Sequence, residues 1–155
     1  MAAKVRLGHV AIPAQHPTEL AEYYRALLGL DVTVEGTLPN LGAFVFLGDN
    51  EARQQQWLAL VTRPEARHVA WEVESLAMLK TCYAEAKAHG IPISFALNHG
   101  VTLSLYLRDP EGNAVEIYWH TGRTVEGIYA EPFDAALLEQ PDAVLLEVVE
   151  RSASA

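Results

Sequence analysis

Apolar positions along the chain follow two rhythms, and the order of the rhythms repeats. Residues 7–12, Leu-Gly-His-Val-Ala-Ile, alternate as a short strand does, and residues 67–71, Arg-His-Val-Ala-Trp, take up the pattern again with the two His-Val-Ala triplets 59 residues apart. Each strand runs into a stretch of helical period. Residues 18–28 carry Leu20, Tyr24, Leu27 and Leu28, and residues 76–88 carry Leu76, Leu79 and Tyr83 behind a candidate N-cap at Ser75. Gly29 and Gly90 follow as the left-handed residues that end helices.

After each helix the period returns to two. The pattern predicts strands over residues 31–34, 43–47 and 57–61 in the first half and over 93–96, 102–107 and 114–119 in the second. Arg108-Asp109-Pro110-Glu111-Gly112-Asn113 reads as the hairpin turn between the last two, because proline presets one backbone angle and glycine accepts a positive one. Gly48-Asp49-Asn50-Glu51 stands in the matching place of the first half. The fold expected is therefore α+β: two tandem βαβββ modules, about 4–64 and 65–120, in one domain over 1–120 with no linker rich in Pro, Gly or Ser between them. Residues 121–155 form a C-terminal extension, with one or two short helices over 133–150 interrupted at Pro141.

Composition narrows the partners. With 155 residues, half of them hydrophobic, the chain can bury a core of its own. A net charge of -9 repels nucleic acid and anionic membrane surfaces. The single cysteine, Cys82, forms no internal disulfide or cysteine zinc site, and on its predicted helix it reads as packing. Without a signal-peptide pattern or an apolar run of spanning length, the expectation is a soluble cytoplasmic protein.

Strand alternation then sorts the polar residues by face. His9 shares a face with Leu7 and Ala11, and His68 with Ala70 and Glu72, while Val10, Ile12, Val69, Trp71 and Val73 turn to the other side. In the last strand Glu116, Tyr118 and His120 oppose the apolar Val115, Ile117 and Trp119. In the strand before it, Thr102, Ser104, Tyr106 and Arg108 take the face of Glu116. If the halves fold alike, a pseudo-twofold brings His9 and His68 to one point. Two imidazoles and a carboxylate with open positions form the facial arrangement that suits non-haem Fe(II), with Mn(II) or another divalent ion as the alternative. His16, His89 and His120 read as histidines outside this set, and residues 54–56 as a turn.

The doubled unit, His9, His68 and the stretch His99-Gly100-Val101-Thr102-Leu103-Ser104-Leu105-Tyr106 through Asp109-Pro110-Glu111-Gly112-Asn113 to Glu116 resemble the vicinal oxygen chelate superfamily over about residues 4–120. That superfamily contains glyoxalase I, bleomycin and fosfomycin resistance proteins and extradiol ring-cleaving dioxygenases. The resemblance implies paired modules whose mixed sheet curls around a metal cleft, with His9, His68 and Glu116 as the ligands. Glyoxalase-like sites add a carboxylate from the last strand of the first module, and residues 56–59 here, Gln-Trp-Leu-Ala, supply none. The pattern therefore favours the dioxygenase branch.

Tyr106 stands ten residues before Glu116, where ring-cleaving members carry an active-site tyrosine, and His99 precedes it in a loop expected at the cleft mouth. Those members also place an acid/base histidine before the second metal histidine. Residues 51–67 contain none, which leaves proton transfer to His99, Tyr106 or water. The resemblance implies Fe(II)-dependent extradiol cleavage of a catechol-like diol, with a small aromatic substrate and dioxygen as partners. By its repeat position Trp57 lies on the cleft strand and reads as an apolar wall, and a homodimer is a further expectation. Alternatives are a glyoxalase-like isomerase or a thiol transferase, for which only Arg108 lends positive charge to the cleft strands, and a metal-free protein that sequesters a small molecule.

Overall fold

A computed structural model describes residues 5–49, 56–125 and 127–151. Among these, residues 8–69 make one compact unit, here the N-terminal unit, and residues 5–7 with 70–151 make the other, the C-terminal unit. The class is α+β, with two βαβββ runs in chain order, as the alternating rhythms predict.

The first run comprises β1 (Val5–Pro13), α1 (Pro17–Leu28), β2 (Asp31–Leu38), β3 (Gly42–Gly48) and β4 (Leu58–Val61). Strand order in the N-terminal unit is β2-β3-β4-β1, with β1 parallel to β4 and the other pairs antiparallel. α1 begins one residue earlier than its apolar pattern, because Pro17 already has the φ of a first helical residue. It ends at Gly29, whose φ of 68° lets its N–H reach the Arg25 carbonyl at 2.9 Å. One sheet face packs on α1 through Ile12, Val45, Leu47, Leu58 and Leu60. The opposite face is built of Ala11, Phe44, Ala59 and Val61.

The second run comprises β5 (His68–Val73), α2 (Leu76–Ala88), β6 (Ile93–Asn98), β7 (Thr102–Arg108) and β8 (Ala114–His120). Ser75 caps α2 as expected, its hydroxyl accepting from the Met78 N–H at 3.2 Å. Beyond His120 come a short strand β9 (Glu131–Pro132), a 3-10 turn (Ala135–Glu139) and α3 (Asp142–Arg151), the break falling at Pro141 as the sequence predicts. In the C-terminal unit the order is β5-β8-β7-β6-β9. Leu103, Leu105 and Leu107 bury one face of β7 against α2, joined by Leu138, Leu145, Val148 and Val149 from the extension. The extension is thus part of this unit's core, and truncating a fully buried member such as Leu79 or Leu145 to alanine would cost about 2–5 kcal/mol.

The hairpin between β7 and β8 is pinned by one side chain. Asp109 accepts from the N–H groups of Glu111 and Asn113 at 2.9 and 2.8 Å and from the Asn113 amide at 2.8 Å, and Gly112 takes φ 83°. These bonds, the Asn113 side chain first, hold the Asp109 carboxyl below its usual range. The result is a fixed register in which Tyr106 lies directly across from Glu116. The counterpart turn expected at 48–51 extends beyond the described residues at Asn50 and Glu51, as do Gln54 and Gln55 of the expected turn before Trp57.

Candidate functional site

In the N-terminal unit the two strand histidines meet. His9 Nε2 and His68 Nε2 are 2.9 Å apart, with the rings nearly perpendicular at 81°. His68 Nδ1 lies 2.8 Å from the Ala66 carbonyl. A carbonyl only accepts, so Nδ1 carries the proton and His68 Nε2 is an acceptor facing His9 Nε2. This is the support a metal-ligating histidine normally receives from its second nitrogen. Two imidazole nitrogens each about 2.0–2.1 Å from one ion at a right angle would stand about 2.9 Å apart. The observed spacing and tautomer therefore fit a pair of adjacent ligands on a divalent ion.

Across β1, β3 and β4 the described residues paired beside His9 on this face are apolar. Ala11 pairs with Ala59 across β1 and β4, and Phe44 and Phe46 pair with Val61 and Ala59 across β3 and β4. Trp57, just before β4, is 41 % exposed, and its carbonyl accepts from the Val10 N–H at 3.0 Å.

The C-terminal unit gathers the other three residues singled out by sequence. Glu116 is buried on β8, on the face opposite Ile117 and Trp119, which pack toward the core. Tyr106, its cross-strand partner, places its hydroxyl 3.0 Å from His99 Nε2. His99 Nδ1 in turn lies 3.0 Å from the Tyr129 carbonyl, which makes Nδ1 the protonated nitrogen and Nε2 the acceptor of the Tyr106 proton. Burial, then the charge and hydrogen bond of Glu116, push the Tyr106 phenol well above its ordinary range, and a bond with Ser104 opposes them. The hydroxyl stays protonated at neutral pH and has two acceptors for its one proton. Phe95 stacks on the Tyr106 ring, with centroids 4.5 Å apart and 20° between planes, and holds its tilt.

The rest of this face is polar and buried. Thr102 pairs with His120 and Ser104 with Tyr118. Glu72 lies among Arg6, at 2.5 Å, the Tyr118 hydroxyl, at 3.5 Å, and His120 Nε2, at 3.9 Å. Desolvation and the charges of Glu72 and Glu116 raise the Tyr118 phenol. Trp71, expected on the buried side of β5, is instead 38 % exposed while Ala70 and Glu72 are buried. The face carrying the charges is the more enclosed one here, which alternation cannot foretell.

His16 and His89 are exposed. Cys82 is half-buried against the α2 core, where desolvation raises its thiol. Sequence reading did not single out Asn98, Tyr129 or the Arg6–Glu72 pair. Glu72 did show a signal, a carboxylate on the His68 face, whereas Tyr129 acts through a backbone carbonyl that no side-chain pattern reveals.

Comparison with known proteins bears on the chemistry. The family model described as the Glyoxalase/Bleomycin resistance protein/Dioxygenase superfamily matches residues 6–117. Biphenyl-2,3-diol 1,2-dioxygenase 2 of Rhodococcus globerulus is 30 % identical over 125 residues, covering 76 % of this chain and 64 % of its own. Biphenyl-2,3-diol 1,2-dioxygenase 3 of the same organism is 30 % identical over 127 residues with the same coverages. The chain thus spans just under two thirds of the length of these relatives. A catechol 2,3-dioxygenase crystal structure superposes with a TM-score of 0.61 at 25 % identity, over 87 % of this chain and 45 % of that one.

Proposed function

This chain belongs to the glyoxalase/bleomycin resistance/dioxygenase superfamily, and from that premise we propose that it is an extradiol ring-cleaving dioxygenase acting on a catechol-like aromatic diol. In this reading His9, His68 and Glu116 hold one divalent ion, Fe(II) rather than Mn(II), and dioxygen is the second substrate. The observation that carries the proposal is the Tyr106–His99 hydrogen bond directly across the ladder from Glu116. A structural tyrosine needs no histidine of fixed tautomer behind it; a hydroxyl that must orient a phenolic oxygen does.

When bound, the ion supplies a Lewis acid for the two vicinal oxygens of the diol and a route for electrons to dioxygen. The chain's own groups do the rest. Two neutral imidazoles and one carboxylate leave a divalent ion one net positive charge, which favours a singly deprotonated diol over a neutral one. Tyr106 stays protonated through its burial and the charge of Glu116, and its one proton, which otherwise goes to His99 Nε2, can turn to an oxygen on which charge develops. His99 Nε2 accepts from the same hydroxyl and is the nitrogen able to take a proton from it, a role left open by the absence of histidine from residues 51–67. The apolar face of Ala11, Phe44 and Ala59 suits an aromatic ligand that water must not follow.

Protein purified without oxygen and loaded with Fe(II) should consume dioxygen with catechol or 2,3-dihydroxybiphenyl and form a yellow ring-opened product. No uptake across a panel of such diols, with iron verified as bound and ferrous, overturns ring cleavage. Ligand binding that survives metal removal would point instead to sequestration, and metal-dependent turnover without oxygen use to an isomerase or thiol transferase.

A further inference from the structure

We infer that Asn98 is a positioning residue for His99, the linchpin of a clamp by which the chain beyond His120 holds the His99 ring in its working tautomer; the inference rests on the reading of His99 and Tyr106 given above. Asn98 is fully buried at the end of β6, and both ends of its amide are engaged. Its Nδ2 donates to the Val148 carbonyl at 2.7 Å, and its Oδ1 accepts from the Gly100 N–H at 2.8 Å. Val148 lies in the last turn of α3, where helix carbonyls run out of intrahelical donors, so the amide serves both a helix end and a loop.

The loop it grips is the one that carries His99. Gly100 takes φ 74°, the His99 N–H bonds the Thr102 carbonyl, and the Val101 N–H bonds the His99 carbonyl, both at 2.8 Å. Thr121 closes the other side: its hydroxyl donates to the Gly100 carbonyl at 2.7 Å, and its N–H to the Val101 carbonyl at 3.0 Å. Both backbone polar groups of Gly100 are thereby held by side chains, one from before the loop and one from the start of the extension. The extension then pairs β9 with β6, Glu131 opposite Asn98, which brings the Tyr129 carbonyl to His99 Nδ1. The Tyr129 hydroxyl is tied to Glu131 at 2.5 Å. With Nδ1 committed to that carbonyl, Nε2 can only accept, and Tyr106 is its donor. Positioning to within about 1 Å is worth about a hundredfold in rate in well-oriented sites, which is what a clamp of this kind can contribute.

The test is nuclear magnetic resonance of the histidine ring nitrogens in the full chain loaded with Zn(II), a diamagnetic ion, alongside kinetics of the Fe(II) form. Wild-type His99 should show one tautomer with the proton on Nδ1. Asn98→Ala should turn this into an exchanging mixture and lower kcat by about tenfold or more, with KM and metal content unchanged. Thr121→Val should do the same to a smaller degree, and Thr121→Ser, which keeps the hydroxyl, should restore the wild-type pattern. If Asn98→Ala does not fold, the half-buried Thr121 pair decides the matter. A fixed Nδ1–H tautomer with unchanged kcat in variants that only melt earlier overturns the inference. Failure of the wild type to cleave any diol defeats the dioxygenase reading instead, and the tautomer measurement still decides the clamp.

Discussion

The third and fourth strands of the two modules pair in the same way and carry opposite chemistry on the face turned from the helix. In the N-terminal unit the cross-strand pairs are Phe44 with Val61 and Phe46 with Ala59. In the C-terminal unit they are Thr102 with His120, Ser104 with Tyr118 and Tyr106 with Glu116. The same topology thus carries an apolar face in one run and a buried hydrogen-bonding surface in the other. Such a surface is tolerated only if its members satisfy one another, and Ser104, Tyr106, His99 and Glu72 all have partners. The N-terminal face carries two imidazoles in an apolar setting; the C-terminal face carries a carboxylate among hydroxyls and an imidazole.

The sharpest way to break this division is at the three proposed metal ligands. Replacing His9, His68 or Glu116 by alanine should remove most of the bound metal, measured by elemental analysis after dialysis, because two remaining ligands compete poorly with water and buffer. Full metal retention in all three would mean that the two faces do not share an ion. Next in size, Tyr106→Phe should leave metal content intact and lower turnover by about tenfold to a thousandfold, as removal of a donor to developing charge does. Equal loss of metal and activity would instead make Tyr106 a support for Glu116.

The contrast between the faces can also be tested by exchanging their chemistry. Val61→Glu puts a carboxylate opposite Phe44 in an apolar cluster, and urea denaturation should show a loss of at least about 3 kcal/mol. Ser104→Ala removes one hydroxyl from a network that retains its other members, and should cost only about 1 kcal/mol. Similar losses at both positions would show the two faces to be less different in environment than their composition.

The smallest effect expected is on alkaline stability. Tyr106 and Tyr118 are both raised in the folded chain, first by burial and then by Glu116 or Glu72. An unfolded chain releases phenol protons near about pH 10, before the folded one does. Below that pH the contribution to stability is complete, and it is lost as pH rises through the unfolded and then the folded value. Urea midpoints at about pH 9 and about pH 11 should fall in that order, less so in Tyr106→Phe. A midpoint equal at both values would contradict the raised phenols.

Much of this was legible in the chain itself. The order of elements, the caps at Ser75 and Gly29, the break at Pro141 and the shared face of Tyr106 and Glu116 on β7 and β8 follow from spacing alone. These are local properties: a strand's period of two and a helix's terminal groups depend on neighbours in sequence. The Asp109 turn belongs with them, since its bonds reach no further than four residues. Tertiary structure alone decided the rest. That His9 and His68 touch, that Trp71 is more exposed than Glu72, that Arg6 finds Glu72, and that Asn98 reaches Val148 across fifty positions are contacts between distant segments. The extension shows the limit most plainly, because it reaches His99 and Asn98 through the backbone carbonyls of Tyr129 and Val148. Every residue offers the same carbonyl, so only the folded path of the chain determines which ones are brought to a histidine or an amide.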